Sequence, residues 1–251
     1  EKARSLAADV IIFDLEDAVA PDAKAEARAC VRHQLIQDGY GRRELVVRIN
    51  ALETPWGRDD LAQFHDMGVA AICVPKVESA SSDCSIWPMA ETPKGVLSQR
   101  EILSSSERIS ALLMGTSDLA RDLRLSRGTD RSGLLYSLSH CVLAARERGV
   151  DILDGVYLNI KDTEGFRQQC LQGRALGFDG KTLIHPAQIE PCNELFSSSA
   201  EELERSRRIL EAWNAARAEG KGVAVLDGQL IEILHVEEAQ RLLAVAAEIE
   251  A

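Results

Sequence analysis

The chain has 251 residues, is 45% hydrophobic and carries a formal net charge of −11. That length can bury a core as one large domain or two small ones, and with only 4% aromatic residues the core must come from Leu, Val, Ile and Ala. The acidic balance disfavours a nucleic-acid or anionic-membrane surface, which selects basic patches, but allows a small anionic ligand held by a few local Arg or Lys residues. Six cysteines (Cys30, Cys73, Cys84, Cys141, Cys170, Cys192) form no CxxC and no His-Cys cluster, as expected of buried thiols in a reducing compartment. No apolar run approaches the ~20 residues of a membrane span, and no signal peptide is visible. The expectation is a soluble, cytoplasmic protein.

In chain order, the first apolar block is VIIFD (10–14), a continuous β-branched and aromatic run of the kind found in strands buried on both faces. Asp14, Glu16 and Asp17 crowd its end. Further blocks follow at LVVRIN (45–50), AAICVPK (70–76), SIWPMAE (85–91), ISALLMGTSD (109–118), ILDGVYLNI (152–160) and FDGKTLIHP (178–186). Helical patterns lie between them. In residues 133–149, Leu134, Leu135, Leu138, Val142 and Ala145 recur at helical spacing, and Gly149 can close the C-terminus. Alternation of this kind implies βαβ units and a parallel sheet. The fold class is therefore α/β. Seven strand candidates are one short of a (β/α)8 TIM barrel, which takes about 250 residues. Because the chain opens without a Met, in the helix-like EKARSLAA, the first strand is expected upstream.

One connection is short. From Glu78 to Ser85, ESASSDCS leaves too little chain for a parallel crossover of at least ~10–12 residues. A stretch near Ala80–Cys84 is therefore expected to be missing from the sequence. After His185-Pro186, a helix is predicted from about Ala200 to Arg217, capped by SSSAEE. A hairpin turning at Asp227-Gly228 follows. A last amphipathic helix carries Val236, Ala239, Leu242, Leu243, Ala246 and Ile249. The expected division is an N-terminally incomplete barrel over 1–218 and a C-terminal lid or oligomerisation arm over 219–251.

In a parallel barrel the C-terminal strand ends form the active face. Asp14, Glu16, Asp17, Arg48, Asn50, Glu91, Asp118, Asn159 and His185 all fall at such ends. Two carboxylates from different strands, Glu91 and Asp118, suit octahedral Mg²⁺ completed by water and a chelating substrate, with Mn²⁺ as a substitute ion. Glu16 and Asp17 could hold the ion's waters from behind, or else N-cap the next helix. The lack of a His pair at ligand spacing disfavours zinc. Arg48 offers a planar fork for a carboxylate, or a buried partner for the acids. Gly115, Thr116 and Ser117 open the next helix with backbone donors that welcome an anion. Metal, Arg and backbone donors together would polarise a 2-oxo acid and stabilise an enolate. Asp14, Asn159 and Lys181 read as structural, and His185 as a scaffold residue of a tight turn.

The segments IIFDLEDAVAPDAKAEAR, VVRIN, VPKVES, MAETPKGVL, MGTSDLARDL, LDGVYLNIKDTEGF and GFDGKTLIHPAQI, in this order from about Ala8 to Ile189, resemble the motifs of the citrate lyase β-subunit-like family of CoA-ester lyases. The resemblance implies a Mg²⁺-dependent barrel, commonly trimeric or hexameric. It also implies cleavage or formation of a C–C bond in malyl-, citramalyl- or citryl-CoA-type thioesters, giving acetyl-CoA or a homologue and a 2-oxo acid. The family's metal ligands fall on Glu91 and Asp118, its substrate-carboxylate arginine on Arg48, and the acids around the metal's waters on Glu16 and Asp17. Gly115 and Thr116 would line the substrate. In the tail motif, Glu232 of LDGQLIE stands where Asp is common, as the acid/base candidate. CoA phosphates would meet basic residues such as Arg121, Arg124 or Lys24.

A CoA thioesterase or a pyruvate-type free-acid aldolase would use the same metal barrel. The β subunit of a citrate lyase complex and a non-catalytic homologue are further alternatives. A related class-II aldolase would be expected to carry an early catalytic His, and no His precedes His33.

Overall fold

The structure, a computed structural model, describes residues 2–37, 39–76, 85–126 and 130–250. Seven strands form one sheet: β1 (Val10–Asp14), β2 (Glu44–Arg48), β3 (Ala71–Val74), β4 (Ile86–Ala90), β5 (Ala111–Met114), β6 (Asp151–Asp154) and β7 (Gly180–Lys181). They lie side by side in sequence order, and every neighbouring pair is parallel. Each overlaps one of the seven apolar blocks, β2 and β6 starting one residue before theirs. The connecting helices are α1 (Lys24–Leu35), α2 (Gly57–Phe64), α3 (Pro93–Leu97), α4 (Gln99–Ser104), α5 (Thr116–Asp122), α6 (Leu135–Arg148) and α7 (Thr163–Leu176). Gly149 closes α6 in the left-handed conformation, φ 66°.

Side chains alternate across a strand. Val46, Ala71, Cys73, Trp87, Met89, Ala111 and Leu113 form one buried cluster, with Val10, Ile12 and Leu153 packed against it. One step further along the same alternating face come Asp14 on β1, Arg48 on β2, and Glu91 and Gly115 just beyond β4 and β5. The period that builds the core therefore also aims these residues at one end of the sheet.

The edges of the sheet are β1 and β7, which do not pair with each other among the described residues. Asn193, in α8 (Ile189–Phe196), donates to the Ala7 carbonyl at 2.8 Å and brings the end of the sheet unit back beside the start of β1. The architecture is a curved, parallel α/β half-barrel, and the expected eight-stranded closure is not among the described residues. All five residues of β1 are half-buried, whereas β3, β4 and β5 are buried throughout. The opening segment forms only a 3-10 turn at Lys2–Ser5, in place of the expected helix. The suspected gap near Ala80–Cys84 lies outside the described residues.

Contacts divide the chain into two compact units, Glu1–Asn193 and Glu194–Ala251. The boundary lies upstream of residue 218 because α9 (Ala200–Ala218) packs with β8 (Ala224–Leu226) and α10 (Ile233–Glu250). The shared core comprises Ile209, Ala216, Ala224, Ile231, Val236 and Ala239. Ser199 and Glu202 form a reciprocal capping box at the start of α9. The hairpin of β8 with β9 (Gln229–Ile231) turns through Asp227 and Gly228, both at positive φ, as anticipated. No helix of the described residues is long and apolar enough to cross a membrane.

Candidate active site

Asp14 ends β1 directly beside Arg48 in the parallel register. The Arg48 guanidinium grips it with a two-pronged fork, Nε to Oδ1 at 2.7 Å and Nη2 to Oδ2 at 2.6 Å. Asp14 also accepts from the Glu16 and Ala18 backbone amides at 2.8 and 3.1 Å, which folds DLED into a tight turn. Lys24, buried and 5.4 Å from the Trp56 ring centre, donates to the Leu15 and Glu16 carbonyls at 2.8 and 2.7 Å. Asn50 also donates to the Leu15 carbonyl, and is itself held by Asp60, which pairs with Arg28. Cations and amides thus fix the backbone of the turn and direct Asp14 and Glu16 inward. This explains why three carboxylates can crowd one strand end.

The consequence is electrostatic. Arg48 Nη1 lies 3.1 Å from Glu16 Oε2 and 3.5 Å from Asp17 Oδ2. The Glu16 oxygen is enclosed and accepts no hydrogen bond, so Arg48 supplies it with charge but not a bonded proton. Burial pushes the Glu16 carboxyl up to about 7; Arg48 opposes that rise and Asp17 adds to it. Asp14 goes the other way, below the usual carboxylate range. Its burial is overcome by the Arg48 hydrogen bonds and charge and by the two backbone amides.

Glu91 follows β4 and is 2% exposed. The Lys76 backbone N–H donates to its Oε1 at 2.8 Å, and the Lys76 ammonium lies 3.9 Å from Glu16 Oε1. Lys76 has φ 53°, a left-handed conformation that few non-glycine residues adopt. Gly115, after β5, lies so close that a Cβ there would sit 2.6 Å from Glu91 Oε2 and nearer still to its Cβ. Burial pushes the Glu91 carboxyl up to about 7, with the charges of Glu16 and Asp118 adding to the rise. Asp118, in the first turn of α5, meets Arg121 Nη1 at 2.5 Å.

Glu16 and Asp118 therefore both press negative charge on the buried Glu91, which sets up repulsion in one space. A hard dication would relieve this repulsion, and an all-oxygen set of two carboxylates plus waters suits Mg²⁺. Among the described residues no three His, Cys, Asp or Glu side chains already stand together at metal-holding geometry. The group that fits is thus Glu91 with Asp118, backed by the unbonded Glu16 oxygen.

The chain matches the HpcH/HpaI aldolase/citrate lyase family over residues 1–86 and 82–186. It belongs to that family. A (3S)-malyl-CoA thioesterase of Cereibacter sphaeroides is 47% identical, across 100% of this chain and 91% of the relative. That alignment runs over 260 positions, so the relative carries residues with no counterpart here. Citrate lyase subunit beta of Leuconostoc mesenteroides subsp. cremoris is 33% identical, across 95% and 86%. The structure is similar to CitE from Mycobacterium tuberculosis in complex with magnesium, acetoacetate and coenzyme A. The TM-score is 0.79 at 31% identity, over 96% of this chain and 90% of that one.

Within this family member, the residues expected at strand ends divide into two sets. Glu16, Arg48, Glu91, Gly115 and Asp118 come together, while Asp17 sits at the margin with its side chain 69% exposed. Neither Glu16 nor Asp17 caps a helix, since α1 starts at Lys24 after a 3-10 turn at Pro21–Ala23. Thr116 is buried against Gly155, where a Cβ would strike its side chain. Asn50 is part of the scaffold. His185 caps a 3-10 turn by accepting from the Ala187 amide at 3.2 Å. Glu232 lies in the C-terminal unit, where its backbone N–H donates to His235 Nδ1 at 3.0 Å.

Sequence reasoning missed two features. Lys76 acts through its backbone, and only its place at the end of AAICVPK could have flagged it. The other is a buried cluster in which Asp154 accepts from Arg131 at 2.7 and 2.9 Å and from Lys181 at 2.9 Å. Lys181 also donates to Gln169 and to the Gly155 carbonyl.

Proposed function

We propose that this protein is a Mg²⁺-dependent enzyme that hydrolyses a CoA thioester of the malyl-CoA class. The observation that carries the reading is the buried Glu91 under the negative charge of Glu16 and Asp118, beside an arginine fixed by Asp14. Glu91 and Asp118 would hold the ion, with Mn²⁺ as a substitute. The ion would supply a Lewis acid that polarises the substrate oxygen.

The chain's own residues do the rest. Asp14 locks Arg48, which leaves Nη1 facing the pocket to orient the substrate carboxylate. Gly115 leaves room for Glu91 to hold its position. Glu16, whose Oε2 is enclosed and accepts no hydrogen bond, is suited to take the proton from the attacking water. Thioester hydrolysis is preferred because relatives bearing that name are 46–47% identical, against 32–33% for citrate lyase β subunits.

The second reading is C–C cleavage to acetyl-CoA and a 2-oxo acid, supported by the likeness to CitE in complex with magnesium, acetoacetate and coenzyme A. There Glu16 would take the proton of the substrate hydroxyl, and Glu232 would protonate the departing enolate. On either reading the half-barrel belongs to a (β/α)8 enzyme. Association into a trimer or hexamer would use the C-terminal unit, where Val225, Leu230, Ile233 and Leu234 are exposed around Glu232.

The test incubates the protein with (3S)-malyl-CoA, with and without EDTA, and measures free thiol and 2-oxo acid separately. Hydrolysis releases free CoA without 2-oxo acid, stops with EDTA, and falls by at least ~100-fold in Asp118→Ala, beyond the loss typical of groups around a metal site. Release of 2-oxo acid without free thiol establishes the lyase instead. Turnover that survives EDTA overturns both readings.

A further inference from the structure

Asp118 and Asp122 stand one helical turn apart on α5, at the i, i+4 spacing where like charges repel. Arg121 lies against both. Its Nη1 is 2.5 Å from Asp118 Oδ1, while Nε and Nη2 lie 3.1 and 3.0 Å from Asp122 Oδ1. The Arg121 side chain is 66% exposed, whereas Asp118 is 22% exposed and Asp122 32%. An arginine placed this way can give up one carboxylate while keeping the other, and can do so from solvent without disturbing the core.

We propose that Arg121 is a built-in placeholder cation. It neutralises Asp118 in the metal-free protein, and a divalent ion must displace it onto Asp122 in order to bind. The inference rests on the reading of Asp118 as a metal ligand. It adds that metal affinity is set by a competition within the chain as well as by the ligands themselves. The placeholder answers a need of the site: Glu16 and Glu91 face the same space, and the ion pairs of Arg48 at 3.1 Å and Lys76 at 3.9 Å both go to Glu16. Without Arg121, metal-free Asp118 would add an unopposed charge to that group. The pair is exposed, so its contribution is modest and the exchange is reversible.

The experiment is Mg²⁺ titration by calorimetry, without substrate, on wild type, Asp118→Asn, Arg121→Gln, and Asp122→Asn in both the wild-type and Arg121→Gln backgrounds. Arg121→Gln should bind Mg²⁺ roughly two- to fivefold more tightly, the range expected for removing an exposed ion pair. Asp122→Asn should weaken binding in wild type, because the displaced guanidinium loses its alternative partner. It should have a markedly smaller effect once Arg121 is gone. Equal Mg²⁺ affinity in wild type and Asp118→Asn would overturn the reading of Asp118 as a ligand. Loss of binding in Asp118→Asn, with unchanged or weaker binding in Arg121→Gln, would leave that reading standing and overturn the placeholder. An Asp122→Asn effect of the same size in both backgrounds would also overturn it, since simple loss of negative charge would then suffice.

Discussion

Gly115 shows how strictly one residue can be specified by a neighbour one strand of sequence away. Its missing side chain is the space that Glu91 fills. Gly115→Ala would force the Glu91 carboxylate or β5 to move. The expected outcome is a stability loss of about 1–3 kcal/mol, as for overpacked cores, with a disproportionate fall in turnover. Urea unfolding together with kcat checks this; unchanged turnover would mean that Glu91 has no role at its observed position. The residues of the site were unevenly legible. Glu91, Asp118 and Arg48 carry their signal in residue type, as charges at the ends of apolar blocks. Lys76 does not, because its contribution to Glu91 is a backbone amide in a left-handed turn. Any residue type provides that donor, so no letter marks it.

At the scale of elements, all seven strands overlap the apolar blocks, and the last two stop furthest short of them. The block at 152–160 leaves the sheet after Asp154, and the block at 178–186 pairs only through Gly180–Lys181. Side chains account for both exits. The Asp154 carboxylate takes the Gly155 amide, Lys181 takes the Gly155 carbonyl, and Gln188 joins the two following loops through the Tyr157 carbonyl and the Ile184 amide. Hydrophobic pattern records where a strand begins to be buried, not where a polar group captures its backbone. Asp154 opposes two buried cations, so Asp154→Asn leaves Arg131 and Lys181 facing an uncharged amide. A loss of about 3–5 kcal/mol is expected, as for other buried pairs deprived of one partner. A urea midpoint indistinguishable from wild type would contradict it.

For the molecule as a whole, the pocket's charge links stability to pH and to metal. Glu16 and Glu91 are both raised to about 7 from an ordinary value of 4.5. Between those values the folded state keeps protons that the unfolded chain has released. Their contribution to stability therefore falls as pH rises from about 4.5 to 7, then levels off. A dication competes with those protons, so Mg²⁺ should raise the Tm more at pH 8 than at pH 6. Thermal unfolding with Mg²⁺ and with EDTA at the two pH values measures it; equal shifts would show that the carboxylates do not share one site. The division of the chain was the least legible feature at this scale. An amphipathic stripe shows that α9 buries one face but not which partner covers it, and the covering elements are β8 and α10.

The order of the strands has a further consequence. Because the sheet follows the order of the sequence, each carboxylate enters the pocket from its own strand and is followed by its own connecting segment. A lineage can lengthen, shorten or rewrite one such segment at a time, and the frame that holds the acids is inherited intact. A change of chemistry on such a frame then needs no new scaffold, only a succession of local edits at the strand ends.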